Sequence, residues 1–380
     1  MAQLLKRVAI IGHSLIAREN QLAFQNWKTI HIDLIMPKKW TSRSLGHDYH
    51  SQYNTLPAHG LTNEIPTTHS PTFHTLTTVA NGRNSFFIWV GLKKLLLQLK
   101  PDAIYCWEEP WTLATWQIGN IGQSLGIPLI FYTAENRNKH LPWPFSLLQN
   151  HAFRLYKASI APTHEIGERI RSTGYKGHIV KIPLWIRPRK NLRPAPQNLC
   201  LGYVGRLIPL KRVHLLVESL ELLPGFKLKI IGDGPEKASL MTLATRLGVS
   251  NRISFLGHVD NSNLDSVLEG VSLLLLPTGE TPSQAEQFGK AALEGVAFGL
   301  PVLVSRTGNL AVLAQSIPTL VAKDLDSASQ VAEEIQSIWK KFPTAQALSN
   351  SRDFVENNYG PQVVALELES LFSALFSGAY

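Results

Sequence analysis

The chain has 380 residues, 44% of them hydrophobic, and a formal net charge of +9. That length exceeds one ordinary core and implies two domains, and no apolar run is long enough for a membrane-spanning helix. The only cysteines, Cys106 and Cys200, lie in strand-like segments, which argues against a disulfide framework; the opening MAQLLKRVAIIGH lacks the apolar centre of a signal peptide, and the chain reads as cytoplasmic.

The charge is uneven. Residues 1–190 hold 22 Lys+Arg and 10 Asp+Glu, a balance of +12, whereas residues 191–380 hold 15 and 18, a balance of −3. Either the first half faces an anionic partner, such as a membrane surface, nucleic acid or acidic polymer, or it carries a basic surface that water alone solvates.

In the first half, RVAII (7–11), HIDLIM (31–36), AIYCW (103–107), PLIFYT (128–133), SIAP (159–162) and HIVKIP (178–183) read as strands, with helices over 111–125, 145–157 and 164–172. The polar tract 41–85 reads as a long loop, since His47, His50, His59, His69 and His74 lack metal-ligand spacing. FFIWVGLKKLLLQLK (86–100) has two readings: a core-facing helix leading into AIYCW, or a helix lying on a membrane with its lysines at the headgroups. Eight of nine tryptophans fall in this half (Trp27, Trp40, Trp89, Trp107, Trp111, Trp116, Trp143 and Trp185), a residue type suited to interfaces. The Pro- and Arg-rich PLWIRPRKNLRPAPQN (183–198) marks a linker. The expected division is a first domain over 1–188, a linker over 189–198, a second domain over 199–355, and a C-terminal helix over 356–380 packing back on the first.

The second half alternates more cleanly. NLCLGYV (198–204), FKLKII (226–231), RISFL (252–256), SLLLLP (272–277) and PVLVS (301–305) are strand-like, with helical segments from 211, over 236–247, near 262–269, and from Phe288 to Phe298. Gly299 supplies a C-cap there and Pro301 cannot continue the helix. This βαβα rhythm is that of an α/β fold whose parallel sheets carry helices on both faces.

Ligands of open α/β sheets bind beyond the carboxyl ends of the strands. Gly205-Arg206, Gly232-Asp233-Gly234-Pro235, Gly257 and Pro277 to Glu286 all follow strands of the second half. Arg206 and Lys211 bracket a helix entry, where the macrodipole disfavours cations. An anionic ligand such as a diphosphate would explain them, and two surface cations is the other reading. Gly232, Gly234 and Gly257 are ordinary turn residues, or sites of close backbone approach to a base or ribose. No Ser, Thr, Asp or Asn stands immediately before Phe288-Gly289, so the first N–H groups of the helix are expected to be available to an anion, with Gly289 open to close approach. Glu286 precedes the helix and Glu294 lies roughly 9 Å beyond Phe288 along its axis, a spacing that suits a sugar and a ribose; the other reading is two solvated acids. In the first half His13, Glu108-Glu109-Pro110, Glu135 and Asn136 follow strands and are acceptor-side candidates, or turn and capping residues.

EQFGKAALE (286–294) resembles the E-x7-E signature of family 4 retaining glycosyltransferases (glycosyltransferase group 1), which have the GT-B fold. Arg206 and Lys211 match that family's diphosphate-binding pair, and Gly232-Asp233-Gly234-Pro235 its nucleotide-side loop. PKKW (37–40), WEEPWTLATWQ (107–117) and the stretch from YTAEN to GYKGHIVKIP resemble one branch of the family.

The resemblance implies two Rossmann-like doubly wound domains facing a cleft. It implies transfer of a sugar from a nucleoside diphosphate sugar, a substrate rather than a cofactor, to a hydroxyl acceptor with retention and without a metal. Arg206, Lys211 and the helix N-terminus would stabilise the departing diphosphate, which itself helps deprotonate the acceptor. Glu286 would position the sugar and stabilise its developing positive charge, with Glu294, Phe288, Gly289, Gly232, Gly234 and Gly257 holding the donor. A lipid-linked or polysaccharide acceptor and peripheral association with an anionic membrane are expected. The chain departs from the family pattern at Arg212, commonly glycine, at Asn309-Leu310, where an acid is usual, and at Gly12-His13-Ser14, which replaces a glycine pair. The alternatives are a nucleotide-sugar epimerase of the same fold and a non-catalytic nucleotide- or nucleic-acid-binding protein; no nucleic acid is expected, since no recognised nucleic-acid motif is present.

Overall fold

The computed structural model describes residues 5–25, 27–42, 47–50, 70–136, 141–187, 189, 199–260, 263–281 and 285–379. The chain forms two compact units, Met1–Trp185 with Pro361–Tyr380, and Ile186–Gly360.

The first unit is built on a seven-stranded parallel sheet. Along the chain come β1 (Lys6–Ile11), β2 (Ile30–Pro37), β3 (Thr72–Leu76), α1 (Leu92–Leu99), β4 (Ala103–Cys106), α2 (Leu113–Ser124), β5 (Leu129–Tyr132), α3 (Phe145–Leu155), β6 (Ala158–Ala161), α4 (His164–Ser172) and β7 (His178–Lys181). Their order in the sheet is β7-β6-β5-β4-β1-β2-β3. The central strands are short apolar runs because both faces are covered. Val8 and Ile10 enter one core, and Ala9 and Ile11 enter the other.

Part of the tract expected to be a loop is structured. Thr72–Leu76 pairs with β2, and His47–His50 pairs antiparallel with Lys39–Ser42. The edge strand TFHTL has no apolar run to announce it. Besides its ladder it is fastened by His74, whose Nε2 lies 2.7 Å from Oδ1 of the buried Asp33. His59 and His69 lie outside the described residues.

The segment 86–100 resolves in favour of the core reading. Leu92 and Leu96 of α1 are buried in the sheet's core, while Phe86, Val90 and Leu97 remain exposed. Five of the eight tryptophans (Trp27, Trp40, Trp89, Trp107 and Trp185) are also buried, and Trp116 and Trp143 are exposed. Among the described residues no helix is long and apolar enough to cross a membrane.

The second unit is a six-stranded parallel sheet. Its elements are β8 (Cys200–Val204), α5 (Val213–Ser219), β9 (Lys227–Ile231), α6 (Lys237–Arg246), β10 (Ile253–Gly257), α7 (Leu264–Leu268), β11 (Leu273–Leu276), α8 (Lys290–Ala297), β12 (Val302–Ser305), α9 (Gly308–Ser316), β13 (Leu320–Lys323), α10 (Ala328–Lys340) and α11 (Ala345–Tyr359). The sheet order is β10-β9-β8-β11-β12-β13. Arg189, expected in the linker, is 3% exposed and pairs with Asp265, while its carbonyl accepts from Arg352. It is part of this unit.

A last helix, α12 (Pro361–Phe376), belongs to the first unit. Val364, Leu368, Leu371, Phe372 and Leu375 join the core that contains Trp27. Glu369 accepts hydrogen bonds from the Thr29 N–H (2.6 Å) and hydroxyl (2.5 Å). The fully buried Phe372 touches Trp27 and Tyr105. Phe372→Ala should therefore destabilise the first unit by about 3–5 kcal/mol. Leu366→Ala, at a position 61% exposed, should stay within about 0.5 kcal/mol. Urea unfolding followed by tryptophan fluorescence measures both, and similar values for the two would refute this account of the helix's role.

Candidate functional site

Each sheet has one place where the strand order reverses. In the second unit it lies between β8 and β11, and the loops that follow these two strands carry the sequence-predicted residues. Lys211 ends a single helical turn, Pro209–Lys211, after β8. Its Nζ donates to Glu286 Oε2 at 2.7 Å and to the Thr278 hydroxyl at 3.4 Å, bridging the two loops. The Glu286 Oε1 in turn accepts from the N–H of Gly289 at 3.2 Å.

This corrects one expectation. The helix begins at Lys290 with Gly289 as its N-cap, and the Gly289 N–H is engaged by Glu286 rather than open. Gly289 is required here by its left-handed backbone (φ 88) and by Leu310 and Leu313, whose side chains would stand about 3 Å from a Cβ. Lys211 and Glu286, expected to serve different parts of one ligand, are each other's partner.

The rest of the edge is assembled around them. Phe288 is 5% exposed and packs edge-on against Tyr359, so its side chain is core. Asn309, at a position where an acid was expected, donates from Nδ2 to the Phe288 carbonyl at 2.6 Å and braces the loop. Glu294 lies on the second turn of α8, with Lys290 Nζ at 3.9 Å. Burial lowers the pKa of nearby Arg189, and the Asp265 and Glu294 carboxylates oppose that shift.

Gly232 donates to the Gly257 carbonyl at 2.8 Å, and a Cβ on it would meet the Gly205 carbonyl at 1.8 Å. A Cβ at Gly234 would likewise strike the Leu207 carbonyl. Close approach is real at these glycines, but the partner is the chain's own backbone. Arg206 is exposed, and among the described residues its guanidinium forms no ion pair.

In the first unit the reversal lies between β1 and β4. His13 follows β1, and its Nδ1 is 2.8 Å from both oxygens of Glu108, which also accepts from the His13 N–H at 2.7 Å. The imidazole packs against Trp40 and Phe87. Glu108 was visible only as a neighbour of Glu109, because sequence position cannot say which of two adjacent acids turns toward β1.

Glu109 turns the other way, accepting from the Thr133 hydroxyl and the Ala134 N–H, both at 2.8 Å. Burial pushes its carboxyl up to about 7, against those two hydrogen bonds; the Glu135 charge adds to the rise and Arg169 opposes it. Glu135 and Asn136 are buried beside this pair. Arg169, 5% exposed and lying over the Trp111 ring, is the cation that the sequence reading missed. Among the described residues, no three His, Cys, Asp or Glu side chains are grouped to hold a metal ion.

Residues 187–353 match the family model "Glycosyl transferases group 1". A D-inositol 3-phosphate glycosyltransferase of Mycobacteroides abscessus is 36% identical over 118 residues, covering 30% of this chain and 25% of that protein. The lipopolysaccharide core biosynthesis glycosyltransferase LpsE of Rhizobium meliloti is 28% identical over 233 residues, covering 59% and 64%. The chain thus spans less than two thirds of either curated relative. Among solved structures, Anabaena Alr3699/HepE in complex with UDP and glucose superposes with a TM-score of 0.70 at 16% identity, covering 97% of this chain and 100% of that one. The lipopolysaccharide outer core galactosyltransferase WaaB superposes at 0.63 and 15%, covering 97% and 99%. The chain has the GT-B fold, and its residues 187–353 are similar to the group 1 glycosyltransferases, the family that EQFGKAALE resembles.

The Glu109 carboxyl predicts a pH dependence. Its folded pKa of about 7 exceeds the ordinary 4.5, so between those values the folded state holds a proton that the unfolded state releases. Its contribution is most favourable below pH 4.5 and is lost as pH rises to about 7, a change of up to about 3 kcal/mol. Glu109→Gln, which cannot ionise, should gain stability relative to the parent chain across that window. Parallel denaturation curves at pH 4.5 and 7.5 with a constant difference would refute this assignment.

Proposed function

We propose that the chain is a retaining glycosyltransferase that moves a sugar from a nucleoside diphosphate donor to a hydroxyl of a lipid-linked or polysaccharide acceptor. The observation that carries the reading is the convergence of Lys211, Thr278, Glu286 and the α8 N-terminus at the β8/β11 reversal, inside the stretch that matches the group 1 family.

The Glu286 carboxylate lies between the Lys211 ammonium and the Gly289 N–H at the helix mouth, a place that suits an anion. A donor diphosphate competes for the same cation and N–H. Once it is seated, Glu286 is released toward the sugar, where its charge favours the positive character that develops at the anomeric carbon. The bond from that carbon to the diphosphate breaks with its electron pair going to the phosphate. Lys211, Arg206 and the helix dipole stabilise the charge that develops there. The acceptor oxygen bonds to the same carbon, and its proton passes to the departing phosphate. These cations supply what a divalent ion would otherwise provide, so the transfer is metal-independent. In this reading Glu294, farther along α8, holds the ribose hydroxyls.

The first unit supports the acceptor and membrane side of this reading. Its residues, 1–185 with 361–380, hold 19 Lys+Arg and 12 Asp+Glu, a balance of +7, alongside exposed Phe86, Val90, Leu97, Trp143 and Leu147, with Lys93 and Lys94 exposed on α1. Each basic residue near an anionic surface contributes about 1 kcal/mol of attraction.

Substitution, metal removal, product analysis and membrane binding each test the proposal. In a donor screen over UDP-, GDP- and ADP-sugars, Lys211→Ala should lose about 2–5 kcal/mol of transition-state stabilisation. Glu294→Ala should mainly weaken nucleoside diphosphate binding, whereas Glu286→Ala should lower turnover while nucleotide affinity holds or improves. Turnover abolished by EDTA and restored by magnesium would remove the metal-free mechanism. Isomerised sugar without an acceptor adduct would make the chain an epimerase. Co-sedimentation with anionic liposomes at low salt, reversed at high salt, is expected; no binding to strongly anionic vesicles would leave a soluble acceptor.

A further inference from the structure

The residue after Lys211 has a backbone conformation that its side chain has to justify. Arg212 adopts a left-handed conformation, φ 46 and ψ 38, which costs an L-residue energy that glycine is spared. Its guanidinium donates in three directions: from Nε to the Pro277 carbonyl at 2.9 Å, to the Ser305 hydroxyl at 3.0 Å, and to Asp326 Oδ1 at 2.8 Å. Pro277 follows β11, Ser305 ends β12, Asp326 follows β13, and Arg212 itself follows β8. One planar fork therefore ties the carboxyl ends of four adjacent strands. The Asp326 side chain is 72% exposed, which makes that contact the weakest of the three. Gly279 leaves the fork room, since a Cβ there would stand 3.1 Å from Arg212 Nε.

Adjacent residues of one turn grip successive residues of one loop. Arg212 takes the Pro277 carbonyl, Lys211 takes the Thr278 hydroxyl, and the Gly279 N–H donates to Leu210 O at 2.7 Å. At 3.4 Å the Lys211–Thr278 contact is already long, so a shift of a few tenths of an ångström in the loop breaks it.

We propose that Arg212 is a positioning residue. It acts through Lys211 and Thr278, holding the Pro277 to Gly279 segment so that Lys211, Thr278 and Glu286 converge as a seat for a diphosphate. The proposal rests on the donor reading above.

Calorimetric titration with UDP, GDP and ADP, and with the corresponding nucleosides, tests it on the full chain. For whichever diphosphate binds, Arg212→Gly keeps the left-handed turn and should raise its Kd about tenfold, with nucleoside affinity little changed. Arg212→Lys should restore only part of the loss, because a single nitrogen cannot span three separate acceptors. Added guanidinium should restore binding to Arg212→Gly. Unchanged diphosphate affinity in Arg212→Gly, equal losses for diphosphate and nucleoside, or a lowered Tm with intact affinity would each overturn the assignment. If the parent chain binds none of the three diphosphates, the donor reading fails, and hydrogen exchange at the Gly279 amide decides the tether. Protection lost in Arg212→Gly supports it, and protection retained overturns it.

Discussion

A parallel strand can be followed only by a crossover, so within each sheet every strand delivers its chain to that sheet's own carboxyl edge. That constraint explains why residues far apart in sequence meet here. Where the strand order reverses, neighbouring loops turn away on opposite sides and leave an opening. In each unit the opening is lined by the same kind of pair, a basic or titratable side chain from one strand end and a carboxylate from the other. Lys211 and Glu286 are 75 positions apart and 2.7 Å away; His13 and Glu108 are 95 apart and 2.8 Å away.

The two pairs differ in what holds them. Glu108 is buried, and its hydrogen bonds from His13 fix the ring nitrogen that faces it, leaving Nε2 directed elsewhere. Glu286 is partly exposed, and its contacts include a flexible lysine and the Gly289 N–H. The first pair is the more buried of the two, and the second is the more open to solvent. A partly exposed ion pair contributes little to stability, so an incoming phosphate gives up little by replacing it. Softness at Lys211–Glu286 and stiffness at Arg212 are complementary, because the moving contact is framed by a guanidinium tied to three strand-end loops.

Much of this was legible in the sequence. Runs such as RVAII and SLLLLP announce buried parallel strands because both faces require apolar side chains, and the Gly- and Glu-bearing segments follow them directly. The place of EQFGKAALE, after a strand and at the start of a helix, was legible for the same reason. The contents of the loops were less so. A strand such as TFHTL, held by its ladder and a His74–Asp33 contact, has no hydrophobic signature. The choice between Glu108 and Glu109 depends on which way each side chain turns, a matter of tertiary packing. The tryptophans misled in part, since residues at loop and strand positions can be buried without any period, and five of the eight in the first half are core.

The glycines show where the reading and the physics diverge most usefully. Gly232 and Gly234 were expected to admit a ligand, yet the atoms that exclude a Cβ are the carbonyls of Gly205 and Leu207. Those carbonyls belong to the loop after β8, which also carries Arg206 and leads to Lys211. The loops after β8 and β9 are thus fused backbone to backbone, and the Gly232–Gly257 contact extends the fusion to β10. Together with the Arg212 ties to β11, β12 and β13, the whole carboxyl edge of the second sheet becomes one connected frame. Within that frame few of the polar contacts are easily exchanged, and the Lys211–Glu286–Gly289 contact is among them. A ligand that displaces it has to present negative charge to a lysine and a hydrogen-bond acceptor to a backbone N–H at the same time. A phosphoryl group with several equivalent oxygens meets both requirements without reorganising the frame. That is the physical reason to expect a diphosphate there rather than a neutral ligand.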